Sequence, residues 1–120
     1  MPFTTDISTS ARRDISRQAR DAFPPMGIYI IRDRETGQVL VASSRNVYGA
    51  MNRTRFELRL RSHSNKTLQT EWDRSGPDRF DFEIVELLKE REDPAFDYVA
   101  ELHTLEQIYR EQYAQQAGAV

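Results

Sequence analysis

A glutamate set on an apolar helical stripe is the first feature of this chain that asks for chemistry. Tyr98, Val99, Leu102, Leu105, Tyr109 and Tyr113 fall on one arc of a helix, and Glu106 projects inside that arc, between Val99 and Tyr113. A carboxylate there is costly unless it is paired or metal-bound. It is either bridged to an arginine or a tyrosine, or it holds a hydrated divalent cation such as Mg²⁺, which keeps part of its water shell. A second feature is basic. Arg45, Arg53, Arg55, Arg59, Arg61 and Lys66 follow one another with Glu57 as the opposing acid. Guanidinium forks suit phosphate oxygens, although ordinary solvent-facing arginines give the same pattern. His63 is a candidate general base or phosphate contact, as histidine is the side chain suited to proton transfer near neutral pH, whereas lone loop histidines are usually neither. Tyr29 lies in an apolar run, where a packed core tyrosine is the simple reading.

The elements that must position these residues are readable from periodicity. Gly27-Ile28-Tyr29 opens an apolar run to about Ile31, a charged turn Arg32–Gly37 follows, and Val39-Leu40-Val41-Ala42 leads into Ser43-Ser44. Two β-rich runs around a polar, glycine-containing loop predict a hairpin. Asn46 is a candidate N-cap for a helix over about 47–60, with Val47, Met51, Thr54 and Leu58 as its buried stripe. Asn65 can cap a short helix through Trp72, which Ser75-Gly76-Pro77 breaks. Phe80, Phe82 and Ile84 alternate with Asp81 and Glu83, a half-buried strand to about Leu87. A charged linker, Glu90–Pro94, precedes the last helix, expected over 95–114, with a frayed tail over 115–120. Upstream, Ile7, Ala11, Ile15 and Ala19 recur every fourth position, predicting a helix over 9–23 that Pro24-Pro25 stops. The expected organisation is an N-terminal helical extension (1–25), an α/β domain (26–114) and the tail.

Composition bounds the rest. The 120 residues make one domain with a real core. With 30% charged residues and a net charge of −2, the chain is not a generic basic nucleic-acid binder, so any anion site is local. The absence of cysteine excludes disulfides, thiolate metal sites and cysteine nucleophiles. No apolar run has membrane-span length and the N-terminus lacks a signal-like h-region, so a cytoplasmic location without membrane association is expected. No phosphate-loop or dinucleotide fingerprint is present.

The motifs, taken in order, resemble the GIY-YIG nucleases. Gly27-Ile28-Tyr29 stands for the first motif and Leu40-Val41-Ala42 stands where the family has Tyr-Ile-Gly. Ser44-Arg45-Asn46 leads into the helix that bears the family's catalytic arginine. His63–Gln69 resembles its H-x-N-x-x-L-Q stretch, and Trp72, Gly76, Phe80, Phe82 and Ile84 its W…G…F-x-F-x-I run. Leu105–Tyr109 resembles the helix whose glutamate holds the metal. Coverage is roughly 26–113. The resemblance implies an α+β fold, a small three-stranded antiparallel sheet flanked by helices, here with the extra N-terminal helix. It also implies divalent-metal-dependent hydrolysis of DNA phosphodiesters, with Mg²⁺ or Mn²⁺ as cofactor and nucleic acid, DNA before RNA, as partner. By spacing the family arginine falls on Ala50, a histidine position on Thr54 and the second tyrosine on Leu40. The carried-over roles are Glu106 as metal ligand, Tyr29 with His63 around the nucleophile, and Arg53, one turn after Ala50, as the replacement arginine. Arg45, Arg55, Arg59 and Lys66 are candidate nucleic-acid contacts. Tyr48 is a candidate for the hydroxyl lost at Leu40. The rival expectation is a catalytically inactive module of the same fold that binds nucleic acid or a protein.

Overall fold

The computed structural model of the protein describes residues 23–118. The expected N-terminal helix therefore lies outside the described residues, apart from Phe23. Three strands, β1 (Gly27–Asp33), β2 (Val39–Ser44) and β3 (Phe80–Leu87), form one antiparallel sheet in the order β2-β1-β3. Helices α1 (Val47–Arg59), α2 (Lys66–Ser75) and α3 (Tyr98–Gly118) complete the fold, with a single 3-10 turn at Pro77–Arg79. The α+β architecture expected from the sequence is the one observed.

The central position of β1 explains its unbroken apolar run, because both of its faces are covered. Tyr29 and Ile31 face α1 and α2, in a cluster with Val47, Met51, Leu58, Leu68, Trp72 and Phe80. Ile28 and Ile30 face α3, in a cluster with Met26, Val41 and Leu102. Full burial of Ile28, Ile30, Val47 and Leu58 contributes on the order of 2 kcal/mol each. Phe82 and Ile84 close the first cluster, and Trp72 stacks on Phe80 with ring centroids 6.0 Å apart. Val85, at the bulge where the β1–β3 register shifts between Ile28 and Tyr29, points into the second cluster.

Both asparagine caps are made. The Asn46 side chain accepts the Gly49 N–H at 3.1 Å, and that of Asn65 accepts the Leu68 N–H at 3.1 Å. Val47, Met51, Thr54 and Leu58 form the buried stripe of α1. Helix α2 continues to Ser75, and Gly76, at φ +83°, ends it. Helix α3 departs from expectation at both ends. It begins at Tyr98, because the Asp97 carboxylate accepts the Ala100 N–H at 3.0 Å and acts as the cap. It runs on to Gly118 instead of fraying from 115, since Ala114-Gln115-Gln116-Ala117 contains no helix breaker. Val99, expected on the buried arc, is 55% exposed because it sits at the margin of that arc, beyond the packed line of Leu102, Leu105 and Tyr109.

Candidate functional site

Strand β2 is an outer strand, and the candidate site residues sit on both sides of it. Ile28 pairs with Ser43 and Tyr29 with Ala42. Residues directly opposite share a face, so Ser43 faces α3 and Ala42 faces α1. Tyr29 is 7% exposed and packs in the α1/α2 cluster, against which Ala42 and Ala50 also pack. The position of the expected family arginine is thus an alanine on the same cluster as Tyr29. Leu40, in register with Ile31 on that same face, is 42% exposed.

Glu106 lies on the other face. Its Oε1 accepts the Ser43 hydroxyl at 2.5 Å, and its Oε2 pairs with the Arg110 guanidinium at 2.6 Å. The Glu106 side chain keeps 16% of its surface and Arg110 keeps 53%. The ion-paired alternative for this carboxylate is therefore realised, and its partner is Arg110, one turn further along α3. A second carboxylate of this face, Glu86, accepts the Tyr109 hydroxyl at 2.7 Å, which holds that phenol above its ordinary pKa, with burial adding to the effect. Among the described residues, no three His, Asp or Glu side chains gather into a set that could hold a metal ion unaided.

On α1, Arg55 lies over the Phe82 ring at 4.3 Å, so this flank of the helix faces β3. Helical spacing puts Ala50 and Arg53 on the opposite flank, toward β2, and Arg53 is exposed. Tyr48 shares the Arg55 flank and is 53% exposed, which turns it away from Leu40. Arg45 and Arg59 are exposed, while the Lys66 ammonium donates to the His63 carbonyl at 3.3 Å. The Arg55 guanidinium is engaged by the aromatic face and is less available to a phosphate than expected.

His63 is half-buried and built into a turn. Its Nδ1 accepts the Asn65 N–H at 3.0 Å, while its own backbone N–H donates to the Gln69 Oε1 at 3.0 Å. The Gln69 amide also donates to the Leu58 carbonyl at 2.9 Å and to Asp73 at 3.0 Å. The Nε2 of His63 is the ring atom left for chemistry.

Sequence reasoning missed a buried charge network at the far end of the hairpin. Arg79 and Asp33 form a two-point ion pair at 2.9 and 2.8 Å, and Arg79 also binds Glu71 at 2.7 Å. Both side chains of the Arg79–Asp33 pair are about nine-tenths buried. The guanidinium, helped by the Glu35 and Thr36 N–H groups, holds the Asp33 carboxyl down at about 2 against the resisting effect of burial.

A groove of about 1010 Å³ wraps the edge of the hairpin. It runs from Asn65, Thr67 and Leu68 past Leu40 and Val41 to Arg110 and Tyr113 of α3.

No family model and no curated protein matches the chain. Solved structures do. The catalytic domain of the homing endonuclease I-TevI superposes with a TM-score of 0.59 at 24% identity, covering 74% of this chain and 88% of that one. A mutant of that catalytic domain superposes with a TM-score of 0.50, again at 24% identity, covering 66% of this chain and 84% of that one. The chain therefore has the fold of that catalytic domain.

Proposed function

We propose that this domain is a divergent GIY-YIG-type endonuclease that hydrolyses DNA phosphodiesters with a divalent cation held at Glu106. The observation that carries the reading is Glu106 itself: a largely buried carboxylate at the outer strand of a nuclease fold, on the helix where the family motif places the metal ligand. A single carboxylate beside a hydroxyl suits Mg²⁺ or Mn²⁺, which fill their remaining positions with water and substrate oxygens. When bound, such a cation activates water and neutralises phosphoryl charge. Arg53, on the β2-facing flank of α1, is assigned to the developing charge on the phosphoryl oxygens. Tyr29 and His63, on the same side of the sheet, are assigned to the surroundings of the attacking water. Because Tyr29 and Glu106 lie on opposite faces, the scissile phosphate must sit at the open edge of β2.

The second reading, a non-catalytic nucleic-acid-binding module, is favoured by Leu40 and Ala50, which lack the groups the family uses there. A nicking assay on supercoiled plasmid and on single-stranded DNA, with Mg²⁺ and with Mn²⁺, separates the two. Metal-dependent nicking is expected. It should be lost with chelator and in Glu106→Gln and Arg53→Ala, each with Tm within about 3 °C of the parent. Binding without nicking at any metal concentration selects the second reading.

A further inference from the structure

The geometry points to Arg110 as a phosphate-binding residue of this site, one that alternates between the Glu106 carboxylate and a substrate phosphate. This rests on the phosphodiester reading above. Glu106, Arg110 and Tyr113 stand at i, i+4 and i+7 of α3 and so form one flank of that helix. That flank meets the edge of β2, where Ser43 holds Glu106 and where Leu40 and Val41 line the groove together with Arg110 and Tyr113. At Leu40 and Ala50 this sequence lacks the family's hydroxyl and guanidinium, and on the α1 face Arg53 alone is assigned in their place. The α3 flank brings one of each to the same edge.

The exchange follows from the burial of the partners. Arg110 is about half exposed and long enough to swing, whereas Glu106 is fixed by Ser43. A phosphate entering the groove offers the guanidinium a bidentate partner in place of the carboxylate. Glu106 would then lose its counter-charge in a largely buried place, which is unfavourable unless another cation replaces it. A divalent metal is that cation. Metal and DNA must therefore bind with positive cooperativity, each tightening the other by the same factor. With Arg110 on the carboxylate, the metal is excluded from the free protein, which keeps the site closed until a phosphate arrives.

The test measures binding of a fluorescein-labelled DNA duplex to the full chain by anisotropy at low salt, with and without Mn²⁺, and of Mn²⁺ alone by electron paramagnetic resonance. The parent protein should bind DNA about tenfold more tightly with Mn²⁺ present. Arg110→Ala and Arg110→Gln should each weaken DNA binding about tenfold, abolish the Mn²⁺ enhancement, and bind Mn²⁺ alone more tightly than the parent. Lys89→Ala, in the exposed linker after β3, should match the parent. The glutamine variant keeps most of the stem, so matching melting curves separate a binding defect from misfolding. Unchanged DNA affinity and unchanged Mn²⁺ enhancement in both Arg110 variants overturn the assignment, as does a parent that binds no DNA. A parent that shows the linkage but never nicks supports the exchange and sinks the endonuclease reading. Full nicking by Arg110→Gln overturns the exchange and leaves the endonuclease reading standing.

Discussion

His63, Asn65, Leu68 and Gln69 show how a sequence motif can be built for architecture. The histidine ring accepts one backbone N–H, the asparagine caps α2, the leucine is buried, and the glutamine ties the turn to the end of α1. Gln69 is 6% exposed, so removing its amide strands the His63 N–H and leaves the Leu58 carbonyl with the Arg61 N–H alone. Gln69→Leu should cost on the order of 2 kcal/mol by denaturant unfolding. Gly27 has a comparable reason to exist. A Cβ there would fall inside the van der Waals shell of the Glu86 carbonyl oxygen on the neighbouring strand. Gly27→Ala should destabilise by about 3 kcal/mol, and an unchanged melting curve would show that β3 can retreat. Local signals of this kind were readable in the sequence: the asparagine caps and the α1 stripe both follow from near neighbours along the chain. Arg110 gave a signal too, as a Glu–Arg pair at i, i+4, but nothing local ranks it above any surface pair.

At the scale of elements, the hairpin is held at its two ends by different chemistry. One end carries the Ser43–Glu106–Arg110 contacts to α3, and the other the Arg79 network. Asp33 and Arg79 are 46 residues apart, so in sequence each is one charge among many. Their meeting depends on the antiparallel return of β3, which places Phe80 opposite Asp33, with Arg79 beside it. Asp33 also accepts the N–H groups of Glu35 and Thr36, which shapes the hairpin turn, so one carboxylate serves both turn and tertiary contact. Its carboxyl titrates at about 2 in the folded protein against an ordinary 3.8. A depressed folded value means that the stabilisation is complete above about pH 4 and is lost as the pH falls through the folded value. Unfolding free energy should therefore drop between about pH 4 and pH 2, and that part of the drop should vanish in Asp33→Asn. The same substitution at neutral pH should cost on the order of 3 kcal/mol, because it leaves a buried guanidinium short of a counter-charge. A pH profile identical in parent and variant would place the acid sensitivity elsewhere.

For the whole molecule, the sheet divides the chemistry. Tyr29 and Ala50 belong to one layer and Glu106 and Arg110 to the other, a division invisible until the strands are paired, because one residue's shift in register exchanges the two faces. A nucleic acid that uses both layers must lie along the edge of β2, with the exposed arginines of α1 on one side of it. Arg45 and Arg53 are the exposed arginines on that side, since Arg55 lies over Phe82 with Arg59 one turn on along the same flank, Arg61 lies 3.8 Å from Asp73 and Lys66 leans on the His63 carbonyl. Elsewhere the chain is acidic enough to give a net charge of −2, so attraction must be local and few phosphates can be neutralised. Each phosphate contact releases a condensed counterion, with a slope of about −0.9 per contact in log K against log salt. Arg45 and Arg53 together with Arg110 predict a slope of roughly −3 for duplex DNA. Arg45→Ala should reduce the magnitude of the slope by about 1 and weaken binding evenly across sequences. A slope near zero would mean that DNA does not lie on this edge, and one near −8 would require basic residues beyond those named here. Because acids outnumber bases in the chain outside residues 45–66, low salt should strengthen docking at this edge and the overall repulsion together. Specific edge binding should then survive dilution of salt without giving way to many weakly bound copies per duplex, which a stoichiometric titration at low salt would reveal.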